Sequence, residues 1–265
     1  DGAARHIRTL PHARLGIAPH SLRAVTPESL AAILDAHGTG PVHVHAAEQT
    51  KEVDDCLAWS GARPVDWLLD HCDVDGRWCL VHATHMTAGE TTRLARSGAV
   101  AGLCPQTEAN LGDGLFNGPR FRAEDGRFGI GTDSHIRVDV AEELRTLEYG
   151  QRLRDRARNV LGAEGRSTGL DLYERAAAGG AQALARASGA IAPGFLADIV
   201  GLDASAAALA GGGGAALLDT WLFSGDGRCV DAVWVAGRKV VHEGRHIGGD
   251  AIRRRFADTL ARLAT

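Results

Sequence analysis

Short apolar runs alternate with longer helical patterns as far as residue 160, and this alternation constrains the fold more than any other feature of the chain. RLGIAPH (14–20), PVHVHAA (41–47), RWCLVHAT (77–84), AVAGLCP (99–105) and RFGIGTDS (127–134) read as strands. Helical patterns fill 26–38, 50–60, 64–72 and 88–98, and a long one covers 139–160. Thr26, Pro27 and Glu28 suit an N-cap, a first helical residue and an acidic first turn, and Gly38 suits the stop. Residues 106–119, rich in glycine and asparagine, are expected to form a loop. The strand runs are apolar nearly throughout, which predicts parallel strands covered on both faces by crossover helices. A closed barrel and an open doubly wound sheet both satisfy this α/β pattern. No GxGxxG opens a helix, so the chain lacks the dinucleotide fingerprint.

The tail changes character. IAPGFLADIVGLD (191–203) and CVDAVWVAGRKVVHEG (229–244) read as β, with Ala236-Gly237 as a hairpin turn. ALAGGGGAAL (208–217) is expected to be a flexible loop, and 249–263 an amphipathic terminal helix. The expected organisation is a main α/β unit over 1–190 and a small β module with a terminal helix over 191–265.

Composition narrows the function classes. The net charge of -4, from 29 Lys+Arg against 33 Asp+Glu, argues against a nucleic-acid surface. No apolar run approaches the roughly 18 residues of a membrane span, and no signal-peptide pattern opens the sequence. Cys56, Cys72, Cys79, Cys104 and Cys229 lack CxxC spacing and read as reduced thiols, so a cytoplasmic location is expected.

The polar residues gather at one edge. His20 and Arg23 follow the first run, His43 and His45 end the second, His82 ends the third, and Asp133 ends the last. Active sites in barrels and open α/β sheets are built at the C-terminal ends of the strands. Imidazoles with a carboxylate form a ligand set for Zn²⁺ or a similar ion. Glu48, three residues after His45, stands where it could move protons, or it is simply an acid at a helix start; spacing leaves both readings open. His43 reads as support within the strand. His71, His85 and His135 are weaker candidates, and the loop over 104–114 is placed at the mouth.

HVHAAEQ, LVHATH, LCPQTEANLGDG and GIGTDSH together resemble the amidohydrolase superfamily of metal-dependent (β/α)₈-barrel enzymes. Within it, HSLRAVTPE, AEQTKEVDDCLAWSGARPVDWL, SGAVAGLCPQTEANLGDGLF and EELRTLEYGQRLRDRARN are similar to the formimidoylglutamate deiminase family. The resemblance covers most of 14–160. It implies hydrolysis of N-formimino-L-glutamate to N-formyl-L-glutamate and ammonia, a step of histidine degradation. It also implies one divalent metal ion, expected to be Zn²⁺. By this resemblance His45 and Asp133 ligate the metal, and Glu48, His82 and Asp133 are catalytic. His20 and Arg23 bind the glutamyl part of the substrate; a guanidinium suits a carboxylate. A homodimer is expected, with neither nucleic acid nor membrane as partner.

The family's strand-one HxH motif has no counterpart upstream of His20, and the sequence begins with Asp1. The chain is therefore expected to be the C-terminal portion of such an enzyme. It would carry strands four to eight of the barrel and a small C-terminal β module. Two alternatives stay open: another deaminase of an amidine or aminated heterocycle, and a catalytically incomplete fragment that needs the N-terminal strands.

Overall fold

The computed structural model describes residues 2–134 and 137–264. The elements run α1 (Gly2–Ile7), α2 (Pro27–His37), β1 (Val42–Ala46), α3 (Thr50–Ser60), α4 (Pro64–His71), β2 (Trp78–His82) and α5 (Ala88–Ser97). They continue with β3 (Val100–Leu103), α6 (Pro105–Leu111), α7 (Gly118–Ala123), β4 (Arg127–Ile130), α8 (Val140–Asp155) and α9 (Thr168–Ala183). The tail holds β5 (Ile199–Leu202), α10 (Ala216–Ser224), β6 (Val230–Val235), β7 (Arg238–His242), β8 (Arg245–His246) and α11 (Gly249–Leu263).

β1-β2-β3-β4 form one sheet in that order, parallel throughout, with Val42 opposite Trp78 and Gly102 opposite Gly129. This is an α/β fold with a parallel sheet, as the apolar runs predict. Val42, Val44 and Ala46 of β1 are buried against the helical layer, while His43 and His45 alternate to the other face. Side-chain caps start several of the helices. Thr26 accepts from the Ser29 amide, Thr87 and Glu90 form a reciprocal capping box, and Asp139 accepts from Ala141 and Glu142.

One close approach explains a glycine late in α9. A Cβ on Gly179 would lie 1.9 Å from the carbonyl oxygen of Phe128, so only glycine lets α9 settle onto β4.

Four segments differ from the sequence reading. Residues 14–20 are not a strand: Ile17 and Ser21 make only isolated parallel bridges to Val42 and His45. Pro19 lacks an amide hydrogen and His20 adopts a left-handed backbone (φ 59), so no continuous ladder forms. The expected loop at 106–119 contains α6, started by Pro105 and held from within by Glu108. The expected loop at 208–217 is shorter than read, because α10 begins at Ala216, and Trp221 and Leu222 join the main core. α9 had no counterpart in the periodicity.

The tail sheet is antiparallel, ordered β5-β6-β7-β8, and Ala236 (φ 48) and Gly237 (φ 80) make the hairpin turn. Among the described residues, no helix is long and apolar enough to cross a membrane.

Candidate active site

The C-terminal edge of the parallel sheet carries a run of left-handed backbone at residues that are not glycine. His20 (φ 59), Ala47 (φ 52), His82 (φ 69), Ala83 (φ 51) and Asp133 (φ 45) all lie there. Such conformations cost about 1–3 kcal/mol each and persist where the surroundings impose them. The turn at His82 has a direct consequence. His82 pairs in register with Ala46, whose side chain faces the helices. The left-handed turn re-aims the imidazole so that its ring stacks on that of His45, 5.5 Å between centroids. The His20 ring is tilted against that of His45, 5.0 Å between centroids.

Buried carboxylates brace the strand ends at two places. Glu52 accepts the amides of Ala47 (3.0 Å) and Glu48 (2.8 Å) with its two oxygens. Glu108 accepts the Cys104 amide at 2.9 Å and the His82 Nδ1–H at 3.2 Å. Both side chains are almost fully buried. Neither was singled out from the sequence. The available signal was an acid in the first turn of a helix directly after a strand, a position that lets it reach back to the strand-end amides.

The structure brings the sequence-predicted residues together. His45 donates Nδ1–H to the His20 carbonyl at 2.9 Å; a carbonyl only accepts, so the proton sits on Nδ1 and Nε2 keeps its lone pair. His82 is fully buried, and its Nε2 has no hydrogen-bond partner. That nitrogen lies 3.7 Å from Glu48 Oε1 and 4.0 Å from Asp133 Oδ2. Arg23 donates to Glu48 Oε2 at 2.7 Å, so its guanidinium is engaged within the site rather than held open. His20 Nδ1 bonds the Ser21 hydroxyl at 2.8 Å. His43 stays in support, its Nε2–H donating to the Ala183 carbonyl at 2.8 Å.

The remaining candidates have structural partners. His85 donates to the Asp113 carbonyl at 2.6 Å, which ties the segment after α6 to the turn after β2. His71 donates to the Trp67 carbonyl and stacks on that indole. His135 lies outside the described residues. Burial pushes the Cys79 thiol up to about 12 and raises Cys104 as well, so neither is a nucleophile.

The electrostatics follow from this packing. Burial works against charge on Glu48, but the hydrogen bond from Arg23 and the nearby His82, Arg23 and His45 outweigh it and hold the carboxyl below its ordinary range. Burial likewise opposes the His82 imidazolium. The Glu108 hydrogen bond and charge, with Glu48 and Asp133, raise its pKa all the same.

The donors test the expected metal. His45 offers a free Nε2, and Asp133 offers a carboxylate with a side chain 33% exposed. Among the described residues, no three or more His, Cys, Asp or Glu side chains are grouped so as to hold a metal ion. A tetrahedral zinc site takes about four donors, so these residues fit a share of a site and not the whole.

The amidohydrolase family model matches residues 4–240. The chain belongs to the amidohydrolase family. Among curated relatives, it is 55% identical to the formimidoylglutamate deiminase of Pseudomonas aeruginosa over 235 residues, which are 88% of this chain and 52% of the relative. It is 34% identical to the 5-methylthioadenosine/S-adenosylhomocysteine deaminase of Halobacterium salinarum, over 62% of this chain and 37% of that one. Among solved structures, an amidohydrolase from Brucella melitensis superposes with a TM-score of 0.94 at 49% identity, covering 100% of this chain and 58% of that one. An adenosine deaminase from Xanthomonas campestris, with bound zinc, gives a TM-score of 0.81 at 26% identity over 97% of this chain and 60% of that one. The chain spans about half the length of the first of these curated relatives, 52%.

Proposed function

We propose that this amidohydrolase chain takes part in the hydrolytic deimination of N-formimino-L-glutamate, giving N-formyl-L-glutamate and ammonia. The observation that carries the reading is the orphaned His82 Nε2 facing both Glu48 Oε1 and Asp133 Oδ2. Three groups able to bind and move protons thus border one space. The similarity to the Pseudomonas deiminase supports the choice of substrate among the reactions such a site could run.

In this reading His45 and Asp133 are two ligands of one divalent ion, Zn²⁺, and the remaining donors come from polypeptide outside this chain. The ion, when bound, acidifies a water molecule. Asp133 takes a proton from the attacking water. Glu48, a carboxylate beside Arg23, takes up the second proton as the added hydroxyl closes to a carbonyl; this proton and the one on Asp133 both pass to the imine nitrogen, so that the C–N bond breaks and ammonia leaves. His82 Nε2 hydrogen-bonds the oxygen that adds to the formimino carbon. His20 and Arg23 hold the substrate carboxylate, Arg23 exchanging part of its bond to Glu48 for it.

The reading extends to architecture. Residues 14–134 correspond to strands four to eight of a (β/α)₈ barrel, with Ile17 and Ser21 the remnant of the fourth. The boundary at 190/191 separates the barrel portion from the β module, a homodimer is the working assembly, and the cytoplasm is its place.

Ammonia release by the zinc-loaded protein, with its full ligand set, tests the proposal. We expect turnover of N-formimino-L-glutamate and a drop of at least about 100-fold in Glu48→Gln. Turnover of an aminated heterocycle with none of formiminoglutamate would replace the substrate assignment.

A further inference from the structure

We infer that Glu108 is a positioning residue that sets the tautomer of His82, and through it the atom that meets the substrate. The inference rests on the deiminase reading for its kinetic consequence, though not for its geometry.

Glu108 occupies the first turn of α6, one turn after the end of β3. A single oxygen, Oε1, accepts both the Cys104 amide at 2.9 Å and the His82 nitrogen at 3.2 Å. An oxygen already accepting an amide N–H behaves as an acceptor, so His82 supplies the second hydrogen from Nδ1. The proton on Nδ1 leaves Nε2 as the variable atom. Nε2 is the nitrogen that is buried, unpartnered and flanked by Glu48 and Asp133.

Two further facts make the arrangement specific. The left-handed turn at His82 (φ 69) aims the ring but does not fix which of its nitrogens carries the proton, so a second constraint is needed. The Cys104 amide anchors Glu108 to the end of the neighbouring strand, which gives that constraint a fixed origin in the sheet. Loss of the carboxylate therefore frees the ring to protonate at Nε2 and to turn its lone pair away from the reacting space. Partners of this kind, behind a functional imidazole, are worth about 10–100-fold in activity.

The test reads the tautomer directly. ¹⁵N-histidine NMR of the protein should place the neutral His82 proton on Nδ1, and Glu108→Ala should move it to Nε2. Glu108→Gln keeps one accepting oxygen that can make both bonds, and should keep the Nδ1–H form. In the metal-loaded enzyme, Glu108→Ala should lose about 10–100-fold in kcat with KM little changed, and Glu108→Gln should recover most of it. A His82 that keeps its Nδ1 proton in Glu108→Ala overturns the inference, whether or not formiminoglutamate is hydrolysed. Equal losses in the two variants, with an unchanged tautomer, would also overturn it and reduce Glu108 to a structural anchor. If the tautomer shifts as expected but the parent protein never hydrolyses formiminoglutamate, the deiminase reading fails and the inference stands.

Discussion

The two four-stranded sheets of this chain solve different problems. In the parallel sheet the β1 and β2 side chains facing the helices are buried, and left-handed residues crowd the strand ends. In the antiparallel sheet most positions are only half-buried, and its hairpin has an ordinary turn at Ala236-Gly237. Parallel strands are covered by helices, so the ends left uncovered are where polar groups can converge. The antiparallel sheet is tied to the rest by Arg186, which binds Asp198 at 2.9 Å, and brings no such cluster together among the described residues. In the tail the left-handed residues other than glycine, Ala236 (φ 48) and Glu243 (φ 48), sit in hairpin turns, and only at the ends of the parallel strands do such residues coincide with the polar cluster.

The largest expected effect breaks the chemistry of one sheet alone. Asp133→Ala should lower turnover by at least about 1,000-fold. Arg23→Ala should mainly raise KM, and equal, mild effects of the two on kcat would contradict the separate roles. The next contrast is packing. Leu80, fully buried in β2, should cost about 3–4 kcal/mol as Leu80→Ala, measured by denaturant unfolding. Val241→Ala, in half-buried β7, should cost about 1 kcal/mol or less. Similar costs at the two positions would mean that the sheets are equally buried in solution.

A further contrast concerns pH, where a main-unit carboxyl and a tail carboxyl carry opposite signs. Burial pushes the Glu143 carboxyl up to about 7, against the hydrogen bond from the Gln106 amide and with Glu108, Glu142 and Asp139 adding to the rise. A raised folded pKa stabilises fully below the unfolded value of about 4.5 and is lost as pH rises through about 7. Thermal melts of Glu143→Gln should therefore fall less than the parent's between pH 5 and pH 8, by roughly 2–3 kcal/mol of stability. Asp198 works in reverse. Burial opposes its charge, but the Ala236 amide and Arg186 hold its pKa down, so its contribution is present at neutral pH and lost in acid. Identical pH profiles for the parent and Glu143→Gln would show that Glu143 is not held neutral.

Much of this was legible in the residues. The period of the apolar runs marks β1 to β4, because buried parallel strands leave a continuous apolar signature. The terminal helix over 249–263 is visible as spacing alone. α9 was not visible, since its alanines and its Gly179-Gly180 pair carry little amphipathic contrast, and Gly179 answers to a close approach to β4 that no local pattern displays. Residues 14–20 misled for the opposite reason. Their apolar run suits a strand, but Pro19 and the left-handed His20 leave only isolated bridges.

The same division runs through the candidate site. The sequence by itself determined which residues reach the C-terminal edge, because a strand carries its last side chains there whatever its neighbours do. His45, His82 and Asp133 follow from that rule. Only the tertiary structure decided what each does on arrival. A left-handed turn, and a glutamate from the following strand's helix that bonds the ring, set which way His82 faces, and Arg23 lies against Glu48 across 25 residues of chain. Orientation at a strand end depends on groups distant in sequence, and spacing along the chain carries no record of them.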